Sequence, residues 1–221
     1  MLPDSKQEFV VASHQPDLLP YTGFWYKMAH ADVFELAVHD QFQDKGYQRR
    51  VTMRGQWANV PLLDRRRGPI LDLRVTPDSG AHLWDTIRGR YATSRFWKTR
   101  RDTVHEWLEK AFVDDRLWVV NASLIASVAE YLSIDTPIVW AEPQELAAAA
   151  RVAERVALLG GTVYLSGTGA RAYMDEEDGN FTSRGIRLEW SKHQPTTGDS
   201  ILTAIFDDRA PRDTVMKQLP S

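Results

Sequence analysis

Residues 8–41, EFVVASHQPDLLPYTGFWYKMAHADVFELAVHDQ, decide the fold. Phe9, Val10, Val11 and Ala12 make a short apolar run that closes in polar groups and Pro16, the pattern of a buried strand. Pro16 lacks the N–H that a ladder needs, so the strand stops and a new element begins at Leu18-Leu19-Pro20. From Pro20, which suits a first helical turn, Phe24, Trp25, Met28 and Ala29 recur at helical spacing. Val33 to Val38 is a second apolar run, closing in His39-Asp40-Gln41. Strand, helix and strand within about thirty residues have the size of a βαβ unit.

Outward from this unit the pattern changes. Tyr47 to Met53, Trp57 to Leu63 and Ile70 to Val75 are short and partly alternating, punctuated by Gly55 and by Asp64-Arg65-Arg66-Arg67-Gly68-Pro69. They read as antiparallel strands. Two amphipathic stripes follow: Val104, Trp107, Leu108, Ala111 and Phe112, then Leu124, Ile125, Val128, Tyr131 and Leu132, the second with Asn121 as its expected N-cap. The last third alternates again. Ile138 to Ala141 is a strand, Glu142 to Leu159 an Ala-rich helix stopped by Gly160-Gly161, Thr162 to Ser166 a strand, Gly169 to Asp175 a short helix and Ile186 to Trp190 a strand. The tail after Phe206 is charged and weakly patterned, as a surface segment would be. The expected fold is one α/β domain spanning residues 1–221: a mixed sheet with βαβ units at both ends, an antiparallel middle, and helices packed on the sheet.

Composition bounds the function. Lys and Arg total 27 against 30 Asp and Glu, and a net charge of −3 argues against a nucleic-acid partner, which calls for a basic excess. With no cysteine there is no disulfide, no thiolate nucleophile and no Cys-ligated metal. No stretch reaches the roughly 18 apolar residues of a membrane span, and MLPDSKQEF has no basic segment followed by an apolar core. A soluble, cytoplasmic protein with no membrane partner is the expectation.

His14-Gln15 closes the first strand and His39-Asp40-Gln41 the second, so parallel strands put both polar clusters at one crevice, where open α/β sheets bind ligands. A His beside a carboxylate is the minimal general-base arrangement, with Asp40 orienting His14. Gln15 and Gln41 supply amide donors for a carbonyl or sugar hydroxyl. The competing reading has His14 and Asp40 only tying up loop backbone. His193-Gln194-Pro195 repeats the trio after the last strand, so His193 is a second candidate base. His14, His39, His193 and Asp40 together also admit a metal reading, though without the spacing of a metal motif. Ser166-Gly167-Thr168-Gly169 follows a strand and could cradle an anion; Ser166 lacks the setting of a nucleophile. The dense basic runs are Arg65-Arg66-Arg67 and, from Arg95 to Arg101, Arg95, Lys98, Arg100 and Arg101 interleaved with Phe96 and Trp97. They are either solvated faces or a docking surface for an acidic or phosphorylated partner.

Taken in order, these residues resemble the WbqC-like family. The resemblance runs from His14-Gln15-Pro16 and Pro20-Tyr21, where the family usually has Pro-Trp, through Gly23-Phe24, Lys27 and Ala31-Asp32-Val33-Phe34 to Asp40-Gln41-Phe42. It continues at Tyr47-Gln48-Arg49, Trp57 and Val60-Pro61, and resumes at Asp135-Thr136, Tyr164-Leu165-Ser166-Gly167, Gly169, Tyr173, Gly185-Ile186 and Ser200-Ile201-Leu202. Arg65 to Arg116 is weakly family-like. The family occurs in surface-polysaccharide and antibiotic gene clusters near amino-sugar chemistry. Within it the chain is similar to lincosamide-type, carrier-protein-dependent condensing enzymes.

That resemblance implies an amide-forming N-acyltransferase. An aminoacyl group would move from the phosphopantetheine thioester of an acyl or peptidyl carrier protein to the amine of an amino sugar. The enzyme would need no cofactor of its own, the phosphopantetheine arriving on the carrier. His14 would be the base, Asp40 its orienter, and Gln15 or Gln41 the polariser of the thioester carbonyl. Tyr47, Gln48 and Arg49, with His39, Ser166 and His193, would line the substrate pocket. Arg65, Arg66, Arg67, Arg95, Trp97, Lys98, Arg100 and Arg101 would dock the carrier protein. The alternatives are another amino-sugar-modifying transferase of polysaccharide assembly and a non-catalytic carrier- or sugar-binding subunit. Which amino acid, which sugar and which oligomeric state, a homodimer included, stay open.

Overall fold

In the computed structural model, which describes residues 8–64, 68–146, 148–172, 174 and 179–218, the opening segment folds as β1 (Val10–His14), α1 (Thr22–Ala29) and β2 (Val33–Leu36). The two strands are parallel, with Val11 opposite Val33 and His14 opposite Leu36. The middle hairpin is β3 (Arg50–Met53) and β4 (Gln56–Asn59), turned by Arg54 and Gly55 at positive φ. Three helices follow: α2 (Ser79–Tyr91), α3 (Trp97–Ala111) and α4 (Leu117–Tyr131). The last third carries β5 (Ile138–Trp140), α5 (Ala148–Leu158), β6 (Val163–Ser166), α6 (Gly179–Thr182), β7 (Arg187–Trp190), α7 (Ile201–Asp207) and α8 (Pro211–Val215).

Five strands form one parallel sheet in the order β5-β2-β1-β6-β7, and β3-β4 is a sheet of its own. The class is α/β as the periodicity requires, but the antiparallel segment stands apart instead of joining a mixed sheet. The chain adds strands outward on one side of β1, then crosses to β6 and β7 on the other. The order therefore reverses between β1 and β6, the kind of place where side chains at the carboxyl ends open into a crevice.

Alternation along the strands sorts the sheet into two faces. Ala12, Phe34 and Leu36 pack against Phe24, Trp25 and Met28 of α1 and a core that extends through α2, α3, α4 and α7. Val11 and Val33 face the other way, onto Ala153 and Val156 of α5 and Phe181 of α6. Gly161 sits where that packing is tightest: a side chain there would lie 2.6 Å from both Val11 and Val156.

Several elements differ from the sequence expectation. Ile70 to Asp72 is a short 3-10 turn behind Pro69, and the rest of the segment makes only isolated bridges, Arg74 to Arg116 and Val75 to Leu62. α2, absent from the sequence expectation, buries Leu83, Ile87 and Tyr91, with Trp84 packed beside them. Asn121 is not a cap; it lies inside α4, fully buried. The Ala-rich helix begins at Ala148, not Glu142. Gly169 to Ala172 is part of a 3-10 turn, and Asp175 is outside the described residues. The tail is packed, with Pro211, Thr214 and Val215 buried.

Candidate functional site

The carboxyl end of β1 runs into residues 15–20, a loop held almost atom by atom. Asn121 Nδ2 donates to the carbonyls of Pro16 and Gln48, each at 2.7 Å. The Leu18 N–H reaches the Tyr47 carbonyl at 2.9 Å, Ser200 Oγ donates to the Leu19 carbonyl at 2.8 Å, and Trp25 Nε1 to that of Pro20 at 3.0 Å. These bonds hold Leu19 at φ 41, a left-handed conformation that a branched side chain rarely adopts. The loop is preorganised by residues far away in sequence.

On the α1 face this loop builds a cleft around His14, Asp17 and Lys27. The His14 ring packs edge-on against Phe24, and its Nδ1 lies 3.1 Å from the Gln15 carbonyl and 3.5 Å from Asp17 Oδ2. Donation from Nδ1 to that carbonyl fixes the neutral tautomer whose Nε2 is a bare acceptor. Protein surrounds the ring, yet 30% of its side-chain surface stays open, as on the floor of a concavity. Burial and the Lys27 charge drive the His14 pKa down to about 3, so the ring is neutral at physiological pH. Burial pushes the Asp17 carboxyl up to about 7, against the pull of Lys27 and a hydrogen bond from Gln48. Burial brings the Lys27 amine down to about 8, against Asp17. Lys27 Nζ donates to the Ser13 carbonyl at 3.3 Å and stands beside Gly167 at the end of β6. The cleft therefore holds a buried carboxyl group, a buried amine that feels its charge and a neutral imidazole at the point where the strand order reverses.

The α5 face carries a second polar cluster. Ser13 and Glu35 are register partners on β1 and β2, so both side chains project to α5, and Ser13 Oγ donates to Glu35 Oε2 at 2.7 Å. Arg155 of α5 lies between them: Nε is 2.8 Å from Glu35 Oε2, Nη2 2.9 Å from Ser13 Oγ, and Nη1 3.3 Å from Asp40 Oδ1. Arg151, one turn earlier, also reaches Asp40 at 3.3 Å. The clusters are joined by two amides. Gln15 Nε2 donates to Asp40 Oδ2 at 3.3 Å, and Gln48 Nε2 donates both to Gln15 Oε1 and to Asp17 Oδ1 at 3.4 Å.

This geometry corrects the expected pairing. Asp40 does not orient His14; two arginines and Gln15 hold it, and the carboxylate at the His14 ring is Asp17. Gln48 is buried and reaches its neighbours' side chains, and Arg49 is bound to Asp44. Both ring nitrogens of His193, the second candidate base, are engaged by the protein. Its Nδ1 lies 3.1 Å from the Lys217 carbonyl, its Nε2 2.8 Å from Thr22 Oγ1, and its ring lies tilted against Tyr26 at 5.2 Å. His39 is half-buried and Gln41 exposed in the loop after β2, and the Ser166 residue is buried at the end of β6. Tyr47 is exposed. Among the described residues no group of three or more His, Cys, Asp or Glu could hold a metal ion.

The basic run on α3 divides. Trp97 is buried among Trp84 and Phe206, and Arg100 donates to the carbonyls of Ile205, Asp208 and Arg209, so both are engaged within the fold. Arg95, Lys98 and Arg101 are exposed. Arg65, Arg66 and Arg67 lie outside the described residues.

Sequence reasoning missed Asp17, Lys27, Arg155 and Glu35 as site residues. One signal was present: Glu35 is a lone charge in the buried run Val33 to Val38, and such a charge needs a partner.

A family model covers residues 15–198, which takes in Asp17, Lys27, both amide bridges and the arginines of α5 and begins one residue after His14. The chain belongs to the WbqC-like protein family. It is 26% identical over 195 residues to an uncharacterized protein of Mycobacterium tuberculosis strain H37Rv, a match covering 81% of this chain and 80% of the relative. No solved structure matches. Among the described residues no helix is long and apolar enough to cross a membrane.

Proposed function

We propose that this WbqC-like protein is an amide-forming acyltransferase. It moves an aminoacyl group from a carrier-protein phosphopantetheine thioester to the amine of an amino sugar, as the lincosamide-type condensing enzymes that it resembles do. The observation that carries this reading is the open Nε2 of a neutral His14 beside a buried Lys27–Asp17 pair. Aminolysis of a thioester needs an acceptor for one proton, a cation for the carbonyl oxygen and a rigid floor.

In this scheme the amine attacks the thioester carbonyl and Lys27 faces the oxygen as negative charge develops. The C–N bond forms. His14 Nε2 takes the proton from the ammonium of the tetrahedral adduct, with Asp17 stabilising the imidazolium. The C–S bond then breaks, and His14 returns the proton to the departing thiolate. The low basicity of His14 suits that return. A positioned acid–base group contributes about 10²–10⁴-fold, and orientation on a fixed loop up to about 7–11 kcal/mol. The thioester is already activated, so ATP is not consumed. Of the basic residues expected to dock the carrier, Arg95, Lys98 and Arg101 are the exposed ones among those described, and they would meet an acidic carrier protein.

The test is product formation, read by mass spectrometry, from an aminoacylated carrier protein and an amino sugar. His14→Ala is expected to lower turnover at least 100-fold with an unchanged melting temperature. Lys27→Met should slow it comparably. Turnover that persists in His14→Ala would remove the proposed base. Transfer from a small soluble donor but not from the carrier would favour the other transferase. Binding of carrier or sugar without turnover would leave a non-catalytic subunit.

A further inference from the structure

Two amides stand between Asp40 and Asp17, and each could sit either way round. An amide's oxygen and its amino group have nearly the same shape, and only their partners tell them apart. At the Asp40 end the choice is forced. Asp40 Oδ1 lies 3.3 Å from Arg155 Nη1 and 3.3 Å from Arg151 Nη2, and an ion-paired carboxylate can only accept. The Gln15 amide meets Asp40 Oδ2 at 3.3 Å, so that end of Gln15 has to be Nε2. Gln15 then shows its oxygen to Gln48, and Gln48 has to answer with Nε2. The same amino group reaches Asp17 Oδ1 at 3.4 Å. Both its hydrogens are thereby committed, and the Gln48 oxygen is left over. Oε1 is buried, and among the described residues no donor reaches it. It lies over Gly46, where a side chain would collide with it. A buried acceptor without a partner is costly, so the orientation of Gln48 is imposed from elsewhere.

We propose that Asp40 is a positioning residue: from the α5 side of the sheet it orients the Gln15 and Gln48 amides so that Asp17 is met by N–H and held as an anion beside His14. Asp40 then acts on Asp17 in two opposite ways. Its own negative charge disfavours a second anion nearby. The amides that it orients favour one, because a hydrogen bond donated to a carboxylate stabilises the charged form. Asp40→Asn separates the two. Its side-chain oxygen stays with the arginines, which only donate, so its new amino group faces Gln15. Gln15 turns over to accept, Gln48 turns after it, and Asp17 meets the Gln48 oxygen, to which only the neutral acid can donate. The groups that face Asp17 are His14 at the end of β1, Lys27 of α1, Tyr21 just before α1 and Gln48 ahead of β3. Of these, Gln48 is the one that the chain of amides ties to Asp40. The inference deepens the acyl-transfer reading, in which an anionic Asp17 steadies the His14 imidazolium, but the proton on Asp17 is measured without turnover.

Carbon-13 NMR of the aspartate carboxyl groups in the full chain reads that proton, with the Asp17 signal assigned by its loss in Asp17→Asn. Asp40→Asn should raise the pH at which Asp17 half-titrates by about one pH unit or more, a roughly tenfold tighter hold on the proton. Loss of a negative charge by itself would lower that pH, so the sign decides. Gln15→Met leaves both arginines on Asp40 and frees Gln48 to turn its oxygen to Asp17. It should shift Asp17 in the same direction by a smaller amount, and it serves as the test if Asp40→Asn does not fold. With the chain cut by Gln15→Met, adding Asp40→Asn should give no further rise. An unchanged or lowered titration in Asp40→Asn, an unchanged one in Gln15→Met, or a full further rise in the double variant would each overturn the proposal. The expected rise in a protein that transfers no acyl group would refute the proposed reaction and leave the role of Asp40 standing.

Discussion

Replacing Arg155 with Met keeps most of the buried stem and deletes the charge between the two sheet strands. Its partner Glu35 has a side chain 4% exposed, and Arg151 remains only for Asp40, so Glu35 loses its cation. Breaking a buried ion pair from one side costs about 3–5 kcal/mol. For a chain of this length each kcal/mol moves the melting temperature about 2–4 °C, so Arg155→Met should melt about 6–20 °C lower. The deficit also has a pH signature. Burial already raises the Glu35 carboxyl above its ordinary range, and Arg155 is the largest opposing influence. Without Arg155 the folded-state pKa rises further. An acid raised in the folded state stabilises below its unfolded pKa, and that contribution is lost as pH rises through the folded value. The deficit should therefore be larger at pH 8 than at pH 5. Adding Glu35→Gln removes the stranded charge and should recover more than half of the loss, a coupling that a double-mutant cycle reads directly. Thermal unfolding by circular dichroism of the four proteins at both pH values is the assay. A melting temperature within about 2 °C of the wild type at pH 8, or simple additivity of the two substitutions, would refute the reasoning.

Two more outcomes follow from the cleft and its loop. His14 and Asp17 should pull stability in opposite directions with pH: between about 3 and 6.5 the unfolded chain binds a proton on His14 that the fold does not, and between 3.8 and about 7 the fold binds one on Asp17 that the unfolded chain does not. The wild type should be nearly flat from pH 4.5 to 6. Asp17→Asn should grow more stable as pH rises there and His14→Gln less stable, and parallel melting curves for both variants would show that the two groups do not oppose each other. Asn121→Leu strands the Pro16 and Gln48 carbonyls, about 1–3 kcal/mol each; denaturant unfolding should show that loss, and a variant as stable as the wild type would mean that water replaces the amide.

The βαβ opening was legible because its information is local: apolar runs, helical spacing and Pro16 place His14-Gln15 and His39-Asp40-Gln41 at strand ends without any knowledge of neighbours. Parallel pairing, which puts both at one edge, follows from the length of the crossover. The middle was less legible because short segments there are fixed by distant partners. Ile70 to Val75 is as apolar as a strand, yet the Ile70 N–H bonds to the Asp40 carbonyl and that of Leu71 to Val38, which curls the segment into a turn. Trp97 and Arg100 share a basic run with exposed residues, and only the packing of α3 against α7 turns those two inward.

For the site, the amino-acid sequence alone determined that His14 ends the first strand and that carboxylates lie within reach of that edge. Which carboxylate was a tertiary decision. Asp40 sits at the right edge, but Arg155, 115 residues further along the chain, together with Arg151, claims it, and the Gln15 amide lies between it and the ring. Asp17 takes its place because Asn121 and Ser200 fold the loop back on itself. Periodicity reports which face of an element is buried; it carries nothing about which remote charge arrives to neutralise a side chain, and that arrival is what set the chemistry of this cleft.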